Sequence, residues 1–357
     1  MILVIRANKY THKVINAFFK LFLLLPLFVQ FSCNEKKEEH KIEPAFYYWK
    51  SSFLLSDFEK RKLDSIKVKV LYIKFFDVDW DEATRQTIPK ALIRFPDSIH
   101  QSYQIIPTVF ITNECFKNIA ANQVPALAEK IKQLLFQLVA NNSIKQVAEI
   151  QMDCDWTEAT KEKYFSFLTE FKKRNSSTLL SATIRLHQVK FITKSGVPPV
   201  DKGLLMCYNM GNLKNPATKN SIIEAAELKK YTGNLDNYTL PLDVALPLFD
   251  WKVLFRANEY RGLIQHLPDS VFAGELFKKT FNNYEVLKDS LLQGYELKKG
   301  DFLRNEESLY KEIIAVTNEL NSKLKNTTRR VSLYHLDSIT LSKFSTHELE
   351  SIFNSLR

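Results

Sequence analysis

The chain has 357 residues, 45% apolar and 25% charged, which is enough for a sizeable core and excludes a disordered or fibrous chain. Its 50 Lys and Arg against 40 Asp and Glu give +10, but Arg6, Lys9, Lys13 and Lys20 precede the first acid, so the remainder carries six net positive charges. These are dispersed, with no run longer than the three residues of Lys172-Lys173-Arg174, which excludes a clustered nucleic-acid footprint and hence a nucleic-acid partner.

The first predicted element is a secretory leader over 1–32. A basic start runs into the apolar stretch Leu21–Phe31, the length of a signal core and too short to span a bilayer. It ends in Phe31-Ser32-Cys33, which resembles the lipobox of bacterial lipoproteins. That resemblance implies acylation of Cys33 and a lipid-anchored envelope location, at the outer membrane. Gln30 departs from the aliphatic residue usual there, and an ordinary signal peptide with an incidental Cys33 is the alternative. A charged, apolar-poor tether follows over 33–44.

Beyond it, short apolar runs alternate with amphipathic helical stretches. Strands are predicted at Ala45–Lys50, Val68–Phe76, Ile105–Thr112, Val147–Asp155, Leu179–His187, Gly203–Tyr208, Val244–Phe249 and Arg330–Leu336. Helices are predicted at Ser56–Ser65, Val124–Asn141, Glu158–Asn175, Ser221–Tyr231, Glu306–Leu324 and Thr346–Leu356. In the third, Tyr164, Phe165, Leu168 and Phe171 share a face. The fold class is therefore α/β, a (β/α)8 barrel of TIM type over 45–357. An insertion at about 258–305 between strands seven and eight carries a hairpin, Tyr284–Leu287 with Tyr295–Lys298, around Gly294. A doubly wound open sheet fits similar alternation and is the alternative.

Three cysteines remain after Cys33, with no CxxC and no HxH or HExxH, so neither a disulfide framework nor a metal site is signalled. No glycine precedes Gly196, which excludes Walker and dinucleotide-binding turns from the N-terminal half, and no cofactor is expected.

In barrels of this type chemistry sits at the C-terminal strand ends. Alternation puts Gln151, Asp153 and Asp155 on the inward face of strand four, and Met152, Cys154 and Trp156 outward. On strand five Thr183, Arg185 and His187 face inward, making Arg185 a neighbour for Asp153. Tyr208 and Asn209 end strand six, Asp250 and Trp251 end strand seven, and Asp77 and Trp80 end strand two. Trp49, Trp80 and Trp251 offer flat rings on which sugar faces stack. The catalytic candidates are Asp155 as general acid, raised by Asp153, and Asp250 as base or nucleophile. The binding candidates are Tyr208, Asn209, Arg185, His187, Asp77, Trp80, Trp251 and Trp49.

The segment Ile150–Thr157 resembles the fourth-strand motif of chitinase-type barrels, glycoside hydrolase family eighteen, which reads Asp-Gly-x-Asp-x-Asp-x-Glu. Met206-Cys207-Tyr208-Asn209 resembles that family's sixth-strand Met-x-Tyr-Asp. Asp153, Asp155, Met206 and Tyr208 match. Ile150-Gln151 replace the first Asp-Gly, Thr157 stands at the proton-donating Glu, and Asn209 replaces Asp. The chain as a whole resembles glycosidase-like barrel lipoproteins of Gram-negative bacteria. The resemblance implies a barrel that acts on or binds a glycan, with a carbohydrate partner. Two readings stay open: a glycoside hydrolase-like enzyme, and a non-catalytic carbohydrate-binding or envelope assembly lipoprotein that lost its acid.

Overall fold

The computed structural model describes residues 41–326 and 328–357. The leader and Cys33 lie outside the described residues. Eight parallel strands form the centre: β1 (Lys41–Tyr48), β2 (Val70–Asp81), β3 (Gln104–Ile111), β4 (Glu149–Asp153), β5 (Leu179–Arg185), β6 (Lys202–Met206), β7 (Leu242–Pro247) and β8 (Thr328–Tyr334). Each pairs with the next in chain order, and β8 pairs with β1 from Lys41↔Thr328 onward, so the sheet closes. The open-sheet alternative is thereby excluded. Lys41–Pro44, assigned by the sequence to the tether, pair with Thr328–Val331 and belong to the barrel.

Helices cover the outside because each presents one apolar face. α1 (Asp57–Ser65) begins with a reciprocal cap: the Ser56 hydroxyl accepts from the Glu59 amide while the Glu59 carboxylate accepts from the Ser56 amide. α2 (Val124–Asn141) buries Val124, Leu127, Ala128, Ile131 and Leu135. α3 (Lys161–Arg174) buries Tyr164, Phe167, Leu168 and Phe171, Phe167 taking the place expected of Phe165. α4 (Tyr310–Asn321) and the Ser345-capped α5 (Thr346–Asn354) complete the layer. Packing is tight at Gly203 of β6, where a Cβ would meet Leu242 and Ile184 side-chain carbons at 2.7 and 2.8 Å. The helix predicted at Ser221–Tyr231 shrinks to Ala225–Leu228. The chain at its start is spent on long-range bonds: Asn220, just before it, donates to the Glu307 carbonyl, and the Ser221 hydroxyl donates to Glu306.

The insertion is larger than predicted and starts earlier. Asp250–Arg256, Glu259–Ile264, Phe277–Thr280, Asn283–Val286 and Phe302–Glu307 form an antiparallel sheet beside the barrel. The hairpin at Gly294 is Ser290–Leu292 with Tyr295–Leu297. The other predicted arm, Tyr284–Leu287, instead pairs into the larger sheet, with Phe277–Thr280 on one side and Phe302–Arg304 on the other. Leu254, Phe272, Phe277, Tyr284, Val286 and Leu303 form its own small core. No described helix is long and apolar enough to cross a membrane.

Candidate functional site

The inward residues divide into a lower layer, near the strand starts, and the mouth. At the mouth, Trp49, Phe110, Asp153, Asp155, Arg185, Met206, Tyr208, Asn209 and Tyr334 line a cleft of about 210 Å³. The strand pleat explains the selection: Phe110, Asp153, Arg185, Met206 and Tyr334 sit at or near the last inward positions of β3, β4, β5, β6 and β8. Their outward neighbours Met152, Cys154 and Trp156 are buried beneath helices, Trp156 stacking on Tyr164 and donating to the Ser195 carbonyl at 2.9 Å.

Asp153 accepts from the Thr183 hydroxyl at 2.6 Å. Burial, with Asp155 adding to it, lifts its carboxyl from the usual acidic range to about 7, against the Thr183 bond and the Arg185 charge. Asp155 sits higher, half-exposed, and accepts from Arg185 Nη1 at 2.7 Å. The Arg185 partner is thus Asp155 and not Asp153. Register is the reason: Met152 pairs with Ala182, which sets Asp153 beside Thr183 and leaves Arg185 level with the residues beyond the strand.

The rings form a continuous wall. Tyr208 stacks on Tyr334 at 5.2 Å, and Trp49 tilts against Tyr334 at 5.7 Å and edges Phe110 at 6.4 Å. Asn209 holds φ at 52°, in the left-handed region that Asn tolerates, where the chain turns out of β6. Thr157, at the position of the family's Glu, is exposed; its amide donates to the Thr160 hydroxyl at 3.0 Å. Glu158 is exposed beside it.

A second cavity of about 610 Å³ shares Trp49, Asn209 and Tyr334 with the first and extends along the insertion through Phe249, Asp250, Trp251, His266 and His335. Asp250 thus lines this second cavity, whereas Asp155 lines the first. β7 ends at Pro247, and Asp250 opens the insertion sheet, where Lys343 Nζ lies 3.0 Å and Lys252 Nζ 3.8 Å from its carboxylate. Trp251 is buried and donates to Glu306 at 2.6 Å.

Three further candidates fall elsewhere. β2 continues past the barrel and pairs back with Gln86–Lys90, so Trp80 is carried out to a separate hollow with Arg85, Thr87 and Gln123. Asp77 stays at the rim, bridged to Lys74 at 3.0 Å, whose ammonium lies 5.5 Å over the Trp49 ring. His187 is not on the strand: Gln188 accepts from the Arg185 amide at 2.8 Å, β5 stops, and exposed His187 enters a short helix. Partial desolvation of its ring and then the Arg185 charge lower its pKa. The sequence reading passed over Phe110, although its inward parity on β3 was there to be counted. Among the described residues no group of His, Cys, Asp and Glu suits a metal ion, and Cys115, Cys154 and Cys207 are buried free thiols.

No protein-family model matches the chain, and no curated protein does. Solved structures share its fold. The Bacillus cereus spore cortex-lytic enzyme SleL aligns at TM-score 0.54 and 15% identity over 89% of this chain and 75% of its own. A chitinase of Chromobacterium violaceum aligns at 0.52 and 10%, over 88% and 98%. The Ostrinia furnacalis Group IV chitinase in complex with allosamidin aligns at 0.52 and 11%, over 88% and 98%. The distant resemblance to chitinase-type barrels read from strands four and six is thus matched by the fold of the whole barrel.

Proposed function

We propose that the chain is a glycan-binding barrel, held at a bacterial envelope membrane through an acyl group on Cys33. The observation that carries the glycan reading is the mouth itself. Trp49, Tyr208 and Tyr334 present flat rings beside Asp153, Asp155, Arg185 and Asn209. Sugars offer an apolar ring face and a hydroxyl edge, and a concave site of rings with a few convergent polar groups matches both. The fold it shares with chitinases agrees, as analogy only.

Binding is favoured over hydrolysis by Thr157. A hydroxyl cannot supply the proton a leaving sugar oxygen needs near neutral pH. Asp250, bridged to Lys343, lines the adjoining cavity and not the 210 Å³ cleft that holds Asp155. Hydrolysis is the second reading, and one observation favours it. Asp153, with a carboxyl lifted to about 7, keeps its proton where an ordinary carboxylic acid has lost it, and Asp155 lies two residues on.

Calorimetric titration with chito-oligosaccharides and allosamidin, followed by product analysis of the same mixtures, separates the two. Binding without cleavage supports the first reading. Cleavage that disappears in Asp155→Asn moves the chain to the hydrolases, and neither binding nor cleavage removes both. For the anchor, fatty-acid labelling that persists in Cys33→Ser removes acylation at Cys33.

A further inference from the structure

We propose that the barrel end opposite the cleft is a docking surface for an anionic lipid bilayer. In a closed parallel barrel, all strands start at one end. Five of the segments entering strands place an exposed lysine there: Lys41 at the first residue of β1, Lys67 before β2, Lys145 before β4, Lys173 in the last turn of α3 before β5, and Lys325 before β8. None of the five has an ion-pair partner among the described residues. The acids of the same end are largely engaged with other cations: Asp64 with Lys69 at 3.6 Å, Asp201 with Lys172 at 2.6 Å, Asp236 with Lys323 at 3.6 Å and Glu43 with Arg330 at 2.7 Å. Asp97 adds one carboxylate nearby, close to His100, which bonds the Asn142 carbonyl at this end.

The pairing leaves these five lysines uncompensated around the rim; Lys214 and Lys219 at the mouth are also exposed without an ion pair among the described residues, so what singles out this end is the tether that enters it. Separated lysines around one end of the barrel suit an extended anionic surface, each lysine contributing about 1 kcal/mol near such a membrane. The chain outside the structure leads to the same place. The seven residues at 34–40 join Cys33 to Lys41, at about 3.3–3.6 Å each when extended, so an acyl group on Cys33 would keep this rim within roughly 30 Å of the lipid. One acyl chain alone binds marginally, and a polybasic surface is the kind of second signal that makes anchoring stable. This part rests on the acylation proposed above. The consequence for the cleft is direct: it opens at the far end, toward a glycan away from the membrane rather than toward a lipid headgroup.

The test is co-sedimentation of the full chain with vesicles of equal parts phosphatidylglycerol and phosphatidylcholine, against phosphatidylcholine alone. The triple variant Lys67→Gln, Lys145→Gln, Lys325→Gln should bind the anionic vesicles about a hundred-fold more weakly, about five-fold per lysine, with little change on neutral vesicles. The leader is the same in both proteins, so its own affinity cancels. Added salt should weaken the parent protein and close the gap. A control triple at the mouth, Lys190→Gln, Lys214→Gln, Lys219→Gln, should bind like the parent. If the first triple does not fold, each single variant reads its five-fold step. Equal binding of parent and bottom triple, or an equal loss in the control, overturns the proposal. Capture of a soluble polyanion such as heparin in preference to vesicles also overturns it, assigning the face to an acidic polymer. Loss of the acyl label with vesicle discrimination intact would fail only the anchor.

Discussion

The two ends of the barrel interior use the same strands and the same inward parity for opposite ends. In the lower layer, Glu149 accepts from Arg330 at 2.7 Å, Lys202 at 2.9 Å and the Ser181 hydroxyl at 2.7 Å, while Lys202 also reaches Asp243 at 2.7 Å and Arg330 bonds the Tyr72 hydroxyl at 2.9 Å. Every charge there has a partner of the opposite sign. At the mouth, Asp153 keeps a single hydroxyl donor and a raised pKa, and Asp155 has one partner and open water. Buried polar groups that satisfy one another make a scaffold. Groups left half-satisfied beside flat rings make a place for a ligand.

The largest expected effect breaks the lower layer. Arg330→Ala leaves Glu149, 2% exposed, with Lys202 as its one remaining cationic partner among the described residues and should cost about 3–5 kcal/mol in urea unfolding. The second effect has the opposite sign. Asp153 is raised from 3.8 to about 7 in the folded chain, so its contribution is full below pH 4 and lost as pH rises toward 7. Asp153→Asn removes that loss. A shift of this size would correspond to about 4 kcal/mol, and the cleft's access to water lowers the expected gain to roughly 2 kcal/mol above pH 7. The measurement is stability against pH; a variant that stays parallel to the parent between pH 4 and 8 refutes the assignment. Glu149 moves the other way. Its pKa is held low although burial raises it, because Lys202 and Arg330 outweigh burial, so its contribution is present above about 4.5 and lost on acidification. The third effect is on the ligand. Trp49→Ala should weaken oligosaccharide binding about ten-fold in calorimetry, or about 1.4 kcal/mol, while the unfolding midpoint moves little because the ring is only half-buried at the rim.

Much of this was legible in the sequence, and what was not has physical reasons. The alternation of apolar runs and helical stretches gives the barrel, and parity alone sends Asp153 inward and Trp156 outward. Asp250 was read as a strand-seven end because Leu246-Pro247-Leu248-Phe249 reads as one strand end, yet the barrel strand ends at Pro247 and the chain from Asp250 serves another sheet. Trp80 was misplaced because nothing in Val70–Asp81 marks where β2 leaves the barrel wall; the hairpin partner Gln86–Lys90 decides it. His187 depended on a side chain, Gln188, capping the strand. The lower network went unread, although Glu149 shares the parity of Gln151 and Asp153, because a charged residue at a strand start resembles a loop residue until its partners on β6, β7 and β8 are known.

The smallest expected effect tests the comparison most closely. Arg185–Asp155 at the mouth and Arg330–Glu149 below are both Arg–carboxylate pairs at 2.7 Å. Bond length therefore cannot separate them, and solvent can. The mouth side chains are 29% and 49% exposed, the lower ones 9% and 2%. Water screens the first pair and solvates either partner left alone, so Asp155→Asn should change stability by no more than about 1 kcal/mol. Removing one partner of the second leaves a charge that water cannot reach. A urea titration of Asp155→Asn that costs as much as Arg330→Ala would mean that the mouth is as dry as the layer beneath it, and that Asp155 holds the barrel together rather than facing a ligand.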